Sequence, residues 1–139
     1  MDIKEIISQN ADKVEEALKG YLSHDDKQYG ILYDAMRYSV LDGGKRIRPL
    51  LTLEFCRMYG GSDEAALPFA CAIEMIHAYS LVHDDMPCMD NSDLRRGKPS
   101  CHKAYGEANA LLAGDTLLTQ AFEVASYNPS VSPETVRLA

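Results

Sequence analysis

The sequence predicts an all-α protein whose helices pack as a bundle. Apolar residues recur three and four positions apart along most of its 139 residues, as they do on one face of an amphipathic helix. Glycine pairs, prolines and polar stretches divide the chain into pieces of helix length. No segment alternates apolar and polar residues between two turns, so no β-hairpin is predicted.

Two helices are predicted in the first third of the chain. The first follows the apolar face that runs from Ile3 to Leu22. A polar stretch, Ser23 to Gly30, then predicts a turn. The second helix is expected from Ile31 to Leu41 and stops at Gly43-Gly44, because glycine commonly ends a helix.

Two further helices lead into an acidic segment. Pro49 can open the third, because a first-turn residue needs no N–H group for helical hydrogen bonding, and Gly60-Gly61 is expected to end it. The fourth begins near Ser62 or is restarted at Pro68, and it runs through Leu81 into the acidic segment.

A fifth helix is predicted from about Glu107 to Tyr127, followed by a loop over residues 128–131. Ser132-Pro133-Glu134 then has the pattern of a helix start, and the sequence stops five residues later. We interpret the chain as part of a longer protein. A naturally frayed tail is the alternative.

The composition is that of an ordinary globular protein, with 46% hydrophobic and 25% charged residues. The formal net charge of −7 argues against nucleic acid as a partner, because nucleic-acid affinity depends on a basic surface.

No apolar run approaches the roughly 18 residues of a membrane span, and the N-terminus lacks the pattern of a signal peptide. The four cysteines form no C-x-x-C pair. We therefore expect a cytoplasmic protein with reduced thiols and no membrane span.

Three carboxylates, Asp84, Asp85 and Asp90, lie within seven residues. On an unbroken helix Asp84 and Asp85 would diverge by roughly 100° and Asp90 would point roughly 240° away from Asp84. Pro87 breaks the helix and allows Asp90 to fold back. Because Mg²⁺ prefers carboxylate and phosphate oxygens, the segment predicts a divalent metal site, with a solvated acidic helix end as the alternative.

Cations are concentrated beside this segment. Six of the fourteen basic residues lie in two four-residue windows, namely Lys45, Arg46 and Arg48, then Arg95, Arg96 and Lys98. Arginine binds phosphate through two parallel hydrogen bonds, and the adjacent glycines allow close approach of a ligand. The windows predict polyphosphate binding; taken singly, each would be read as a surface salt-bridge partner or a basic turn.

Two further residues, each isolated in the sequence, are candidates for a functional role. His77 lies nearly two helical turns before Asp84 on the same face, which favours a substrate contact over an ordinary packed histidine. Asp115 interrupts an apolar helix, so a paired partner of a cation or an internal cap is expected there, not a metal ligand.

Taken together, these segments resemble the trans-isoprenyl diphosphate synthases, the family of farnesyl and geranylgeranyl diphosphate synthases. The matching segments are Gly43 to Pro49, His77 to Asp90, Asp93 to Pro99 and Gly106 to Asp115. The resemblance implies an all-α bundle of the isoprenoid synthase type. It implies that residues 1–139 are the N-terminal part of a single polyprenyl synthetase domain, whose C-terminal half is absent.

The resemblance also implies a reaction. The family joins isopentenyl diphosphate to an allylic diphosphate, dimethylallyl or geranyl, and its members are usually homodimers. Asp84, Asp85 and Asp90 match the motif that binds Mg²⁺ bridging to the allylic diphosphate, which Arg95 also contacts. The match to the isopentenyl diphosphate contacts comprises Lys45, Arg48, His77 and Arg96.

The resemblance is nearest to bacterial farnesyl diphosphate synthases, because Tyr79 lies five residues before Asp84 and the acidic motif carries a two-residue insertion. A fifteen-carbon product is therefore expected. The alternatives are a geranylgeranyl diphosphate synthase, a non-catalytic partner subunit, and a cyclase or head-to-head synthase. The family's second aspartate-rich motif is absent, so the 139-residue chain alone is expected to be inactive.

Overall fold

In the computed structural model, which describes residues 2–24, 27–41 and 43–138, the chain forms a bundle of α-helices with one small β-ribbon. The helices are α1 (Ile3–Tyr21), α2 (Gly30–Val40), α3 (Ile47–Met58), α4 (Asp63–Asp84), α5 (Cys101–Tyr105), α6 (Glu107–Ser126) and α7 (Pro133–Leu138). The strands are β1 (Leu94–Arg95) and β2 (Lys98–Pro99), and Lys27–Tyr29 forms a 3₁₀ turn. The predicted all-α fold is confirmed.

Helix α4 lies at the centre, with its most extensive contacts against α6 and α3. Its buried face includes the small residues Ala70, Cys71 and Ala78, and the facing residues Ala113 and Gly114 of α6 are also buried and small. Small side chains allow two helix backbones to approach closely, so the helix that ends in the acidic segment is firmly held along its length.

The start of α4 settles the alternative that the sequence left open. Ser62 caps the helix, because its Oγ accepts a hydrogen bond from the N–H of Ala65 at 3.3 Å. The helix then continues through Pro68, which is buried in the core, without restarting there. The cap and the burial of the apolar face together outweigh the hydrogen bond that proline cannot make.

The other boundaries of the predicted helices agree with the structure to within two residues, whereas the short helix α5 (Cys101–Tyr105) was not predicted. Helix α3 begins at Ile47, so Pro49 lies inside its first turn, and α7 begins at Pro133 after the cap Ser132. Asp25 and Asp26, in the middle of the predicted turn Ser23–Gly30, lie outside the described residues.

The prediction that no β-hairpin exists is wrong. Leu94 pairs with Pro99 and Arg95 pairs with Lys98 in an antiparallel ribbon. Arg96 and Gly97 connect the strands with φ values of 53° and 80°, as a type I′ turn requires. Strands of two residues are too short to produce an alternating pattern, which explains why the sequence pattern missed them.

By length and composition alone, α4 would be long and apolar enough to cross a membrane. Half of its most apolar window is buried against the rest of the protein, and core helices of globular proteins satisfy the same criterion. The expectation of no membrane span therefore stays a prediction.

A charged network joins α1, α3 and α4 at one end of the bundle. The guanidinium of Arg57 donates to both carboxylate oxygens of Asp63, at 2.7 and 2.8 Å, and to Asn10 at 3.0 Å. Lys13 of α1 also contacts Asp63. Hydrogen bonds from Arg57 and then Lys13 hold the pKa of Asp63 well below its ordinary value.

The Asp63→Asn substitution is expected to lower the free energy of unfolding at pH 7 by about 1–2 kcal/mol. Because the folded-state pKa is depressed, the contribution of Asp63 is complete above its unfolded pKa and fades as the pH falls through the folded value. Urea unfolding at several pH values should show the difference between wild type and variant shrinking below about pH 4. Asp12→Asn, at an exposed position of α1, is the matched control; a pH-independent loss would contradict the assignment.

Candidate functional site

The acidic segment is a tight turn that follows the last residue of α4. The N–H of Asp90 donates to the carbonyl of Asp84 at 2.9 Å, and the N–H of Ser92 donates to the carbonyl of Asp85 at 3.2 Å. The chain therefore returns Asp90 to Asp84, as predicted. The helix already ends at Asp84, so Pro87 lies within the turn and is not itself the point at which the helix breaks.

The three aspartates have different surroundings. Asp84 and Asp90 are exposed, whereas Asp85 retains only 2% of its accessible surface. Both carboxylate oxygens of Asp85 accept hydrogen bonds from Arg95, one of them from Nε at 3.0 Å. This hydrogen bonding raises the pKa of Arg95, with smaller contributions from Asp84 and Asp90. Asp85 is thus the partner of an arginine, and Asp84 and Asp90 are the carboxylates that face outward.

The outward carboxylates fit a magnesium ion that bridges to phosphate. Among the residues that the structure describes, no three His, Cys, Asp or Glu side chains converge to enclose a metal by themselves. Mg²⁺ commonly takes only one or two protein carboxylates and completes its shell with water and phosphate oxygens. Asp84 and Asp90, joined through their backbones, can supply those carboxylates.

The two basic windows meet through Arg96, consistent with the family resemblance that groups Arg96 with Lys45 and Arg48. Its Nη1 donates to the carbonyl of Gly43, which lies in the loop before α3. A Cβ atom on Gly44 would lie 2.9 Å from Nη1 of Arg96, and the φ of Gly44 is +120°. Glycine is therefore favoured at position 44 by its backbone conformation, and a larger residue there would also displace the guanidinium of Arg96.

Arg46 corrects the interpretation of the first basic window. It is buried, and it donates hydrogen bonds to Glu74 at 2.6 Å, Glu15 at 2.7 Å and the carbonyl of Val40 at 2.6 Å. Burial lowers its pKa, but the bonds to Glu15 and Glu74 outweigh burial and raise it. Arg46 fastens the loop to the bundle and is not available to a ligand.

The neighbouring cations of this window, Lys45 and Arg48, are exposed. His77 of α4 is half-buried beside them. Its pKa is lowered from the ordinary value of 6.5, first by burial and then by the positive charges of Arg48 and Arg96. The predicted isopentenyl diphosphate contacts Arg48, His77 and Arg96 therefore share one electropositive region.

Sequence reasoning missed the residues that hold the ribbon in place. A cavity of about 40 Å³ separates the ribbon from α2 and α4, and it is lined by Tyr38, Ser39, Asp85, Arg95 and Cys101 among others. The hydroxyl of Tyr38 donates to the carbonyl of Pro99 at 2.8 Å. No sequence signal marks Tyr38, because its partner lies 61 residues away and is a backbone atom.

Asp115 does not have the expected surroundings. Its side chain is 61% exposed, and its Oδ1 lies 3.8 Å from Nε2 of His83. The apolar surroundings suggested by the sequence are not found, because Asp115 lies on the exposed face of α6 where water solvates it; among the described residues, the histidine ring nearby is the one candidate partner that the structure gives it.

The chain is similar to known proteins of one family. The family model described as Polyprenyl synthetase matches residues 29–138. The farnesyl diphosphate synthase of Geobacillus stearothermophilus is 49% identical over 139 residues, which cover 99% of this chain and 46% of that protein. The chloroplastic geranylgeranyl pyrophosphate synthase of Capsicum annuum is 55% identical over 111 residues, or 79% of this chain and 30% of that one.

Solved structures give the same result. The crystal structure of an FPP/GFPP synthase from Zymomonas mobilis superimposes with a TM-score of 0.93 at 44% identity, covering 97% of this chain and 49% of that one. The chain therefore spans half or less of the length of these relatives.

Replacing Arg48 by Gln is expected to raise the pKa of His77. A nearby positive charge disfavours the imidazolium, so removing the charge makes protonation easier. NMR titration of the histidine ring in the 139-residue chain measures the shift. Lys19→Gln, on the exposed surface of α1, is the control. An unchanged pKa of His77 in Arg48→Gln would contradict the placement of Arg48 and His77 in one electropositive region.

Proposed function

Because the chain belongs to the polyprenyl synthetase family, we propose that it is part of a Mg²⁺-dependent prenyltransferase that joins isopentenyl diphosphate to an allylic diphosphate. The observation that carries the proposal is the side-by-side placement of two kinds of diphosphate-binding group. The outward carboxylates with Arg95 form one, and the electropositive region around His77 forms the other.

The first group would bind the allylic diphosphate. Asp84 and Asp90 would hold Mg²⁺, which neutralises the diphosphate and makes it a better leaving group. The buried carboxylate of Asp85 orients Arg95, whose Nε and Nη2 are engaged, so that Nη1 is left for phosphate oxygens. We thus assign Asp85 to holding Arg95 and the two outward aspartates to the metal.

The second group would bind isopentenyl diphosphate through Lys45, Arg48, His77 and Arg96. Fixing this diphosphate places the double bond of its five-carbon unit near C1 of the allylic substrate. The allylic C–O bond breaks, its electron pair leaves with diphosphate and an allylic cation remains. The π electrons of isopentenyl diphosphate then form the new C–C bond with that cation. Loss of a proton from the former isopentenyl unit restores neutrality.

The allylic cation in this reaction has to be kept from water. On α4, the residues that precede Asp84 include the apolar side chains of Ala78, Leu81 and Val82, all at least partly buried. They support a dry wall for the prenyl chain next to the outward carboxylates.

We propose farnesyl diphosphate as the product. Tyr79 lies on α4 one turn before the acidic turn, where an aromatic ring would limit the length of the growing chain. The likeness to the farnesyl diphosphate synthase of Geobacillus stearothermophilus supports this product. The higher identity to the Capsicum annuum synthase supports geranylgeranyl diphosphate as a second candidate.

A non-catalytic partner subunit is less well supported. Such a subunit has no need of carboxylates that face outward beside a correctly oriented arginine, and this chain retains Asp84, Asp90 and Arg95. The segment from Gly43 to Pro49, which matches the isopentenyl diphosphate contacts, likewise disfavours a cyclase or head-to-head synthase.

The chain is proposed as the first part of a single domain in a cytoplasmic homodimer. Apolar side chains remain exposed on one face of α3, at Ile47, Leu51, Phe55, Met58 and Tyr59. An unpartnered face of this kind supports burial by further protein in the whole molecule.

The complete protein, incubated with Mg²⁺, geranyl diphosphate and labelled isopentenyl diphosphate, is expected to form labelled prenyl diphosphate. Asp84→Asn and Asp90→Asn should each lower kcat by about 100-fold or more, because a metal-binding carboxylate is lost, whereas Asp12→Asn should not. Full activity of both aspartate variants would contradict the metal assignment. Turnover by residues 1–139 alone would contradict the expectation that this chain is inactive.

Tyr79→Ala in the complete protein is expected to shift the product distribution towards twenty carbons or more, because the smaller side chain lengthens the pocket. Chromatography of dephosphorylated products measures the shift. Tyr127→Ala, at an exposed tyrosine that follows α6, is the control. Products of unchanged length would remove the basis for Tyr79 as the length limit, and a twenty-carbon product in the unmodified protein would favour the second candidate.

A further inference from the structure

His83, which immediately precedes Asp84, is fastened to the neighbouring helix α6. Its ring Nε2 lies 3.1 Å from the carbonyl oxygen of Leu111. A carbonyl oxygen only accepts hydrogen bonds, so the proton of the neutral ring is on Nε2. The side chain therefore spans from the last turn of α4 to the backbone of α6.

Gly114 makes this contact sterically possible. A Cβ atom at position 114 would lie 2.1 Å from Nε2 and 2.5 Å from Cδ2 of His83, closer than any atoms pack without a shift. Glycine is unfavourable inside a helix compared with alanine, yet Gly114 is within α6 and buried. Glycine at this position lowers the stability of the helix but leaves space for the imidazole ring of His83.

The ring is also supported from its own helix. Tyr79, one turn earlier on α4, packs edge-on against His83, with ring centroids 5.7 Å apart and planes at 80°. The Oδ1 of Asp115 lies 3.8 Å from Nε2. His83 is thus held between an aromatic ring and the backbone of α6, so its ring orientation is fixed.

Holding His83 in place also holds Asp84, because the two residues are joined by one peptide bond. Asp84 is the last residue of α4, and its carbonyl accepts the hydrogen bond that returns Asp90. Helix ends fray unless a further contact holds them. The bond from His83 to α6 is such a contact, placed one residue before the carboxylate that has to be held.

We propose that His83 is a positioning residue that fixes Asp84 and Asp90 for the metal–diphosphate complex, and that Gly114 is the residue that admits it. The proposal deepens the proposed function and rests on it for its metal-binding consequence. Because Nε2 is turned to Leu111, His83 acts through the backbone of Asp84 and not by touching the diphosphate.

The first test uses the 139-residue chain and needs no activity. Gly114→Ala is expected to lower the melting temperature by about 5–10 °C, but to change it by less than about 2 °C in a His83→Ala background, where no ring occupies the space. Gly20→Ala, at a helical glycine with nothing within 4 Å, is the control and should not lower it. An equal loss in both backgrounds would overturn the role of Gly114.

NMR of the ring nitrogens supplies a second structural readout on the same chain. The ¹⁵N spectrum should show His83 as the Nε2–H tautomer, and Gly114→Ala should abolish that fixed pattern. The Nδ1–H tautomer in the unmodified chain would overturn the hydrogen bond to Leu111.

The final test separates positioning from general stability in the complete protein. Calorimetry with Mg²⁺ and an unreactive allylic diphosphate analogue should show that His83→Ala weakens metal-dependent binding about 10-fold. His83→Gln, whose amide N–H can replace Nε2–H, should restore binding to within about 3-fold, and affinity for isopentenyl diphosphate should change by less than about 2-fold in both variants.

Equal weakening of both substrates, or no rescue by His83→Gln, would overturn the positioning role. A complete protein that binds metal and analogue as stated but forms no prenyl diphosphate would contradict the proposed function while leaving the role of His83 standing.

Discussion

The contact between Asp85 and Arg95 is the interaction on which the rest of the site depends. Asp85 is buried at the end of α4, and a buried carboxylate without a partner would cost several kcal/mol. Arg95 supplies that partner with two hydrogen bonds, and in doing so it brings the ribbon back against α4. The return of the ribbon is what places cations beside the outward carboxylates. A requirement of folding and a requirement of diphosphate binding are therefore satisfied by one ion pair.

A second arginine, which unlike Arg95 is buried, performs the equivalent task on the other side of the site. Arg46 satisfies the carbonyl of Val40 at the end of α2 and pairs with Glu15 and Glu74. Carbonyls at a helix end lack partners within the helix, so this contact completes α2 while it fixes the loop that carries Lys45. Both edges of the site are thus held by arginines that are themselves unavailable or only partly available to substrate. The cations that face outward are left to bind the ligand.

The division of the charged residues into those that bind the protein and those that face outward could be predicted from the sequence only in part. Helix positions followed from apolar spacing and from glycine and proline, because those signals are local. The return of Asp90 was predicted from the position of Pro87, and the grouping of Arg96 with Lys45 and Arg48 was implied only by the family resemblance. The burial of Arg46 was not predicted, because its partners Glu15 and Glu74 are distant in the chain. The pairing of Asp85 with Arg95 and the ribbon were also not predicted, although both are local in sequence. A count of charges gives no information on which charge is buried, and a two-residue strand has no periodicity.

Helix α4 fixes the distance between the two halves of the site. His77 and Asp84 are seven residues apart, so about 10.5 Å of rigid helix separates the electropositive region from the metal carboxylates. That separation suits two diphosphate groups lying side by side with their carbon ends converging. Because small buried residues pack α4 tightly against α6, it cannot slide to change this distance without opening the core. The apolar core of the bundle is in this way part of the geometry of the site, and in the proposed reaction helix packing would align the substrates as much as the charged side chains would.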